Sequence, residues 1–446
     1  MSGKDADGAV NRDIVLGENS LQKPVEHQQA PIQPIWQGDD DEASERYEEG
    51  LPLDIKLHGS SGSGGRSYRA FGDASMGWRE GLPFCFGVRL QNRAVELRPT
   101  DRTWIGRILT ESSSSRQTAT PAIETWWYGT SSTINDRERK NDGVPTNYTE
   151  RQLLWIIDYI QQTYKTDPNR TYGWGSSMGA SGLVSFGLRH PEIFTAVRLH
   201  VPAVTYNSPP VDEWESKESR MELRCGDIDH ICSDGMSLRE RLDGVGYVSN
   251  ARKLPYIVVS NGRSDYVMGW WKAVQFYRAL RDSRHGFIAY WNDGGHGGVR
   301  KTAPDGINAY DNLRNFDHLS LDKSYIAFSN CSADKDPGSG ARDDGDIAGS
   351  MNLGLSWEEP TDTADSYEVL IRADTEIHDL PVTVDVTPRR LQSFSREPGE
   401  VVIAKNIEES TGDEIQTQEL VVNEDGLLTF PQFTVTCAEG NHLVLQ

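Results

Sequence analysis

The run Gly175-Ser176-Ser177-Met178-Gly179 spells G-x-S-x-G, and it constrains this chain more than any other stretch. A serine set on a very tight strand-to-helix turn takes backbone angles that side chains normally avoid, so the residues two before and two after it must be almost free of side chain. Gly175 and Gly179 meet that demand. The flanks supply the two elements: Asp167-Pro168-Asn169-Arg170 is a turn signal, and Thr171 to Trp174 is a short β-prone run. Met178 to Arg189 is small and apolar at helical spacing and closes at His190-Pro191, where proline stops a helix. The stretch is expected to be a nucleophile elbow with Ser177 at its apex.

Around it, strand and helix patterns alternate. Leu51 to Leu57 alternates apolar with polar residues and runs into the glycine-rich loop His58 to Gly65. That loop lacks the Lys-Ser/Thr of a P-loop, and beside an elbow its backbone N–H groups suit an oxyanion. Phe84 to Leu90 reads as a strand. Thr149-Glu150-Arg151-Gln152 matches a capping box, followed by Leu153, Ile157, Ile160 and Tyr164 at helical spacing. Strands are expected at Ala196 to Val201, Pro255 to Val259 and Phe287 to Trp291, with a helix over Val267 to Leu280. This alternation predicts an α/β fold, a mainly parallel sheet flanked by helices, with active residues at the carboxyl ends of strands. Beyond about residue 320 short β-prone runs take over: Ser366 to Ile371, Val382 to Val386, Val401 to Ala404 and Phe433 to Thr436. The expected division is a polar acidic arm over 1–48, an α/β domain over 49–320, a Gly/Asp-rich linker over 321–350 and a smaller β-sandwich-like domain over 351–446.

A serine hydroxyl is a poor nucleophile at neutral pH and needs a base within hydrogen-bond reach, itself held in one tautomer by a carboxylate. Ser177, Asp265 and His296 each follow an expected strand and stand in the order Ser…Asp…His. His296 would take the Ser177 proton and return it to the leaving group, while Asp265 would orient the imidazole. Asp293, Asp227 and Asp229 are rival acids. The oxyanion donors would be the backbone N–H groups of Met178 and of Ser60 or its neighbour.

Three adjacent aromatics at Trp126-Trp127-Tyr128 cannot all face one core on a strand, because successive side chains alternate sides. Trp126, Trp127, Trp270, Trp271 and Trp291 lie near expected strand ends, and exposed rings there would suit sugars, aromatic acyl groups or polyester chains. Of these, Trp126, Trp127, Trp270 and Trp291 are the substrate-binding candidates.

The formal net charge of −22 argues against nucleic acid or an anionic membrane as partner. No apolar run of about 18 residues argues for a transmembrane helix. The first residues lack the basic and apolar segments of a secretory signal, which leaves the cytosol or a removed leader open. Of the cysteines Cys85, Cys225, Cys232, Cys331 and Cys437, only Cys225 and Cys232 invite a disulfide, and no C-x-x-C spacing argues for a metal. No metal or cofactor is expected in the chemistry. The acidic loop with Asp334, Asp336, Asp343, Asp344 and Asp346 offers oxygen ligands for a structural calcium, without EF-hand spacing.

Residues from about 51 to 300 resemble the α/β-hydrolase superfamily. Within it, the Asp-Pro-Asn-Arg turn, Gly-Ser-Ser-Met-Gly, Arg189-His190-Pro191-Glu192 and the His58-Gly59 loop are similar to secreted bacterial esterases of the polyhydroxyalkanoate-depolymerase and feruloyl-esterase type. Val384 to Arg390 resembles the β-domain appended to some of these enzymes. The resemblance implies an extracellular, serine-dependent carboxylic ester hydrolase that works through an acyl-enzyme on polysaccharide acyl esters or polyesters. A prolyl-oligopeptidase-like peptidase and an inactive polymer-binding homologue are the alternatives. The superfamily usually has two strands before the one that feeds the oxyanion loop. Here the arm is expected to add edge strands through Asp13 to Leu16 and Ile32 to Trp36, or the sheet is shortened.

Overall fold

The computed structural model describes residues 35–36, 50–59, 86–91, 94–101, 103–104, 122–131, 133, 141–206, 224–297, 316 and 318–446. The chain divides into two compact units, Met1–Phe186 with Tyr206–Asp243, and Gly187–Thr205 with Gly244–Gln446.

In the first unit, β1 (Leu53–Leu57) buries Leu53, Ile55 and Leu57, as its alternation requires. It pairs in parallel with β3 (Ala94–Pro99) on one side and β4 (Thr171–Ser176) on the other. β2 (Phe86–Gln91) runs antiparallel to β3, and the two-residue strand Ile35–Trp36 lies parallel to β2. The arm thus supplies an outer strand at Ile35–Trp36. The place next to β3 is taken by β2, a segment that follows β1 in the chain. Asp13 to Leu16 lies outside the described residues.

Helix α1 (Tyr148–Tyr164) buries Leu153, Ile156, Ile157 and Ile160, and its Tyr159 meets Phe86 edge-on at 6.3 Å. The expected capping box does not form: the N-cap is Asn147. The Thr149 hydroxyl instead bonds Thr125 Oγ1 at 2.6 Å, and Glu150 pairs with the buried Arg241. Two buried tertiary partners have displaced a local cap worth only about 1 kcal/mol.

In the second unit, β5 (Ala196–His200), β6 (Tyr256–Gly262) and β7 (Phe287–Asn292) pair in parallel in that order. They are buried almost without interruption, as parallel strands covered on both faces must be. Helix α2 (Met178–Ser185) follows β4 in the first unit, and α3 (Trp270–Asp282) joins β6 to β7 in the second.

The segment expected as a linker carries strands. Tyr325–Ser329 is buried throughout and pairs antiparallel with Val382–Arg389, while Gly349–Met351 pairs antiparallel with β7. Beyond it stand two antiparallel sheets. Tyr325–Ser329, Val382–Arg389 and Phe430–Val435 form one; Leu355–Trp357, Tyr367–Ala373, Asn441–Leu445, Val401–Glu408 and Glu414–Val421 form the other. Val384, Phe433, Ile371, Val402 and Leu443 belong to one core shared by both sheets. The fold class is α/β, mostly parallel strands with helices, followed by antiparallel β-sheets.

Candidate active site

Ser177 stands between β4 and α2 with φ 56° and ψ −120°. A β-carbon makes that conformation costly, on the order of 1–3 kcal/mol, so the surroundings must impose it. They do so by close packing: a Cβ at Gly179 would sit 2.8 Å from the His58 carbonyl oxygen. The first turn of α2 therefore lies directly on the chain leaving β1. All eight residues of α2 are buried, Met178 completely. Ser181 donates to the Ser177 carbonyl from both its N–H and its hydroxyl, each at 2.9 Å. Ser177 is thus held at the N-terminus of a buried helix, where unsatisfied N–H groups favour negative charge. Ser60 lies outside the described residues.

Asp265 and His296 meet in the second unit, with Asp265 Oδ2 2.8 Å from His296 Nδ1. The pairing ladder of β6 and β7 continues past the strands, Arg263 N–H to Asn292 O at 2.8 Å and Ser264 N–H to Gly294 O at 3.1 Å. That continuation carries both residues to the carboxyl ends. Asp265 Oδ1 accepts the N–H groups of Val267 (2.8 Å) and Met268 (3.1 Å), so the carboxylate is fixed through both oxygens. An ionised carboxylate only accepts, so His296 carries its proton on Nδ1 and presents Nε2 as a base. The Asp265 side chain is 1% exposed and that of His296 32%, a buried acid behind an accessible imidazole.

The rival acids have other partners. Asp229 pairs with Arg239 at 2.7 Å, and the Asp227 carboxylate accepts from Asn141. Asp293 accepts a 3.4 Å bond from Ser264.

The four tryptophans expected to contact substrate are packed instead. Trp126, Trp127, Trp270 and Trp291 are 4%, 0%, 4% and 0% exposed. Trp126 and Trp127 do not lie on a strand: both have positive φ, 57° and 62°, and the turn they make lets all three neighbouring aromatics point inward. Trp126 packs on Tyr206 and Trp127 on His58, while Trp291 stacks on Tyr277 and touches Trp270.

The acidic loop carries its own cation. Arg263, 3% exposed, donates to the carbonyls of Asp344 (2.8 Å), Arg342 (2.9 Å) and Gly345 (3.3 Å), and Trp291 Nε1–H donates to Asp346 O at 2.9 Å. The carboxylates of Asp334, Asp336, Asp344 and Asp346 accept the N–H groups of Asn352, Gly338, Ser339 and Asp336. The loop's carbonyls are turned to a guanidinium, and among the described residues no three His, Cys, Asp or Glu converge for a metal. Cys225 and Cys232 are free, buried thiols rather than a disulfide, and burial pushes both thiols up from their ordinary pKa. Sequence reasoning missed Arg263 and the buried Asp101, because no local pattern marks a side chain whose partners lie in distant loops. Among the described residues no helix is long and apolar enough to cross a membrane.

Residues 103–231, which include Ser177, match the family model described as "Putative esterase". No curated protein matches the chain. Among solved structures, an S-formylglutathione hydrolase from Agrobacterium tumefaciens aligns at 15% identity over 56% of this chain and 78% of its own, with TM-score 0.35. A ferulic acid esterase aligns at 18% over 57% and 81%, with TM-score 0.33. A fluorophosphonate-binding serine hydrolase of Staphylococcus aureus aligns at 13% over 58% and 82%, with TM-score 0.35.

Proposed function

We propose that this chain, an enzyme of the carboxylic ester hydrolase class, cleaves its ester through an acyl-Ser177 intermediate, on an acyl ester of a polysaccharide or on a polyester. The observation that carries the proposal is Ser177 itself, held at φ 56° and ψ −120° at the start of a buried helix. The oriented Asp265–His296 pair supports the same reading.

In this reading His296 Nε2 takes the Ser177 Oγ proton as Oγ attacks the ester carbonyl. Charge developing on the carbonyl oxygen is met by the Met178 N–H and by an N–H of the loop after Gly59. The C–O bond then breaks, the alcohol leaves with the proton from His296, and water repeats the sequence on the acyl-enzyme. Asp265 stays ionised and stabilises the imidazolium.

The test is a panel of p-nitrophenyl acyl esters of increasing length, a feruloyl sugar ester, a polyhydroxyalkanoate suspension and peptide p-nitroanilides. Each is run with wild type and Ser177→Ala at several salt concentrations, because the net charge is −22. Ester turnover that disappears in Ser177→Ala is expected. Cleavage of the anilides without any ester turnover would overturn the proposal.

A further inference from the structure

We infer that Asp101 is a positioning residue that aims the His58-Gly59 peptide at the oxyanion site, through His58 and Trp127; the inference rests on the acyl-Ser177 reading above. β1 ends at His58-Gly59, and both carbonyls there are pinned. The His58 carbonyl accepts from Trp127 Nε1–H at 3.2 Å, and the Gly59 carbonyl lies 2.9 Å from His58 Nδ1. The Asp101 backbone N–H donates to His58 Nε2 at 3.0 Å. A nitrogen that accepts carries no proton, so the ring of a neutral His58 is protonated on Nδ1 and donates to Gly59 O. One backbone N–H has thereby chosen the tautomer and, with it, the direction of a peptide plane.

The side chain of the same residue works from the other side. Asp101 is fully buried, and its carboxylate accepts the Thr125 N–H (3.0 and 3.1 Å to its two oxygens), the Thr125 hydroxyl and the Trp127 N–H (3.1 Å). These bonds hold the turn in which Trp126 and Trp127 take positive φ, a conformation bulky L-residues avoid. Gly182 on α2 gives the Trp127 ring its place, since a Cβ there would meet the ring carbons at 2.5 Å. The indole is therefore wedged against α2, edge-on to His58 at 4.9 Å, with its N–H on the His58 carbonyl.

Asp101 thus reaches two consecutive peptides by two routes. A trans peptide carries C=O and N–H on opposite sides, so pinning the His58 carbonyl fixes which way the Gly59 N–H faces. The same chain is the one against which Gly179 packs, next to the Met178 N–H. Oxyanion donors act only when aimed at the position the charge will occupy, and loss of one costs about 10²–10³-fold in kcat. Burial raises the Asp101 carboxyl above the ordinary aspartate range, outweighing its bonds to Thr125.

The experiment compares Asp101→Asn and Trp127→Phe with wild type and Ser177→Ala, using p-nitrophenyl acetate turnover and inhibition by an alkyl trifluoromethyl ketone, whose adduct places an oxyanion in the hole. Expected are kcat losses of about 10- to 100-fold for Asp101→Asn and a few-fold for Trp127→Phe, with KM within about threefold. Affinity for the ketone should weaken in parallel with kcat/KM. Circular dichroism establishes that each variant is folded at the assay temperature; if Asp101→Asn does not fold, Trp127→Phe decides alone through its ketone affinity, since it keeps an aromatic ring and removes the donor to the His58 carbonyl. Folded variants with wild-type kcat and ketone affinity would overturn the inference. Turnover surviving in Ser177→Ala would instead remove the reading on which it rests.

Discussion

Gly179→Ala places one methyl group where there is no room. The Cβ would lie 2.7 Å from the Leu57 carbonyl carbon and 2.8 Å from the His58 carbonyl oxygen, with the Leu57 oxygen closer still. All three are backbone atoms, so no rotamer change relieves the contact. Ordinary contact begins at 3.4 Å, so the His58 oxygen, from 2.8 Å, must retreat by about 0.6 Å. That movement falls on the loop proposed to receive the oxyanion. A misplacement of about 1 Å costs on the order of 10²-fold, so kcat is expected to fall about 10- to 100-fold. Overpacking of this kind lowers the unfolding free energy by about 1–3 kcal/mol. The assays are p-nitrophenyl acetate turnover and urea unfolding, with Gly297→Ala as the control. A Cβ at Gly297 meets nothing within 4 Å, although it adjoins His296. Wild-type kcat and stability in Gly179→Ala would refute the close approach of α2 to the end of β1. Equal losses in Gly297→Ala would show that the effect is not steric.

Asp265→Asn keeps the shape but no longer demands a proton on His296 Nδ1, and kcat measured on the same ester should drop by about 10⁴-fold; a loss under tenfold would remove Asp265 from its role. Arg263→Met strips the Arg342, Asp344 and Gly345 carbonyls of their donor, and urea unfolding should show a loss of at least about 1.5–3 kcal/mol, the value of one charge-assisted bond. Burial, with the Arg389 charge beside it, lowers the His285 pKa to about 3. The unfolded chain therefore binds a proton below about 6.5 that the folded chain refuses, and stability present above that pH is lost as pH falls toward 3. The loss is about 2 kcal/mol at pH 5, and urea titrations at pH 7 and pH 5 should show it shrink in His285→Asn; an unchanged difference would contradict the assignment.

What was legible in the sequence is what short-range pattern controls. G-x-S-x-G with its turn, strand and helix flanks located Ser177, and the runs before Asp265 and His296 gave β6 to within three residues and β7 to within one. The β-prone runs found Tyr367–Ala373, Val382–Arg389, Val401–Glu408 and Phe430–Val435, but not Glu414–Val421 or Asn441–Leu445. Other features depend on contacts that no window contains. The turn that buries Trp126 and Trp127 is held by bonds from Thr125 and Trp127 to Asp101, 24 and 26 residues away in sequence. Gly349–Met351 has too few side chains to display a period, and it becomes a strand because β7 offers it an edge. The Thr149–Gln152 pattern is a sound capping box in isolation, but buried partners claimed Thr149 and Glu150. The acidic loop read as oxygen ligands because Arg263, which faces it, lies more than 70 residues earlier.

The most direct measurement on Ser177 is to mix the enzyme with p-nitrophenyl acetate, quench in acid during turnover and map the acylated residue by peptide mass spectrometry. One acetyl group on the peptide at Ser177, absent from Ser177→Ala together with turnover, is the expected result. Turnover that persists in Ser177→Ala, or an acetyl group that maps to another residue on the catalytic time scale, would contradict it.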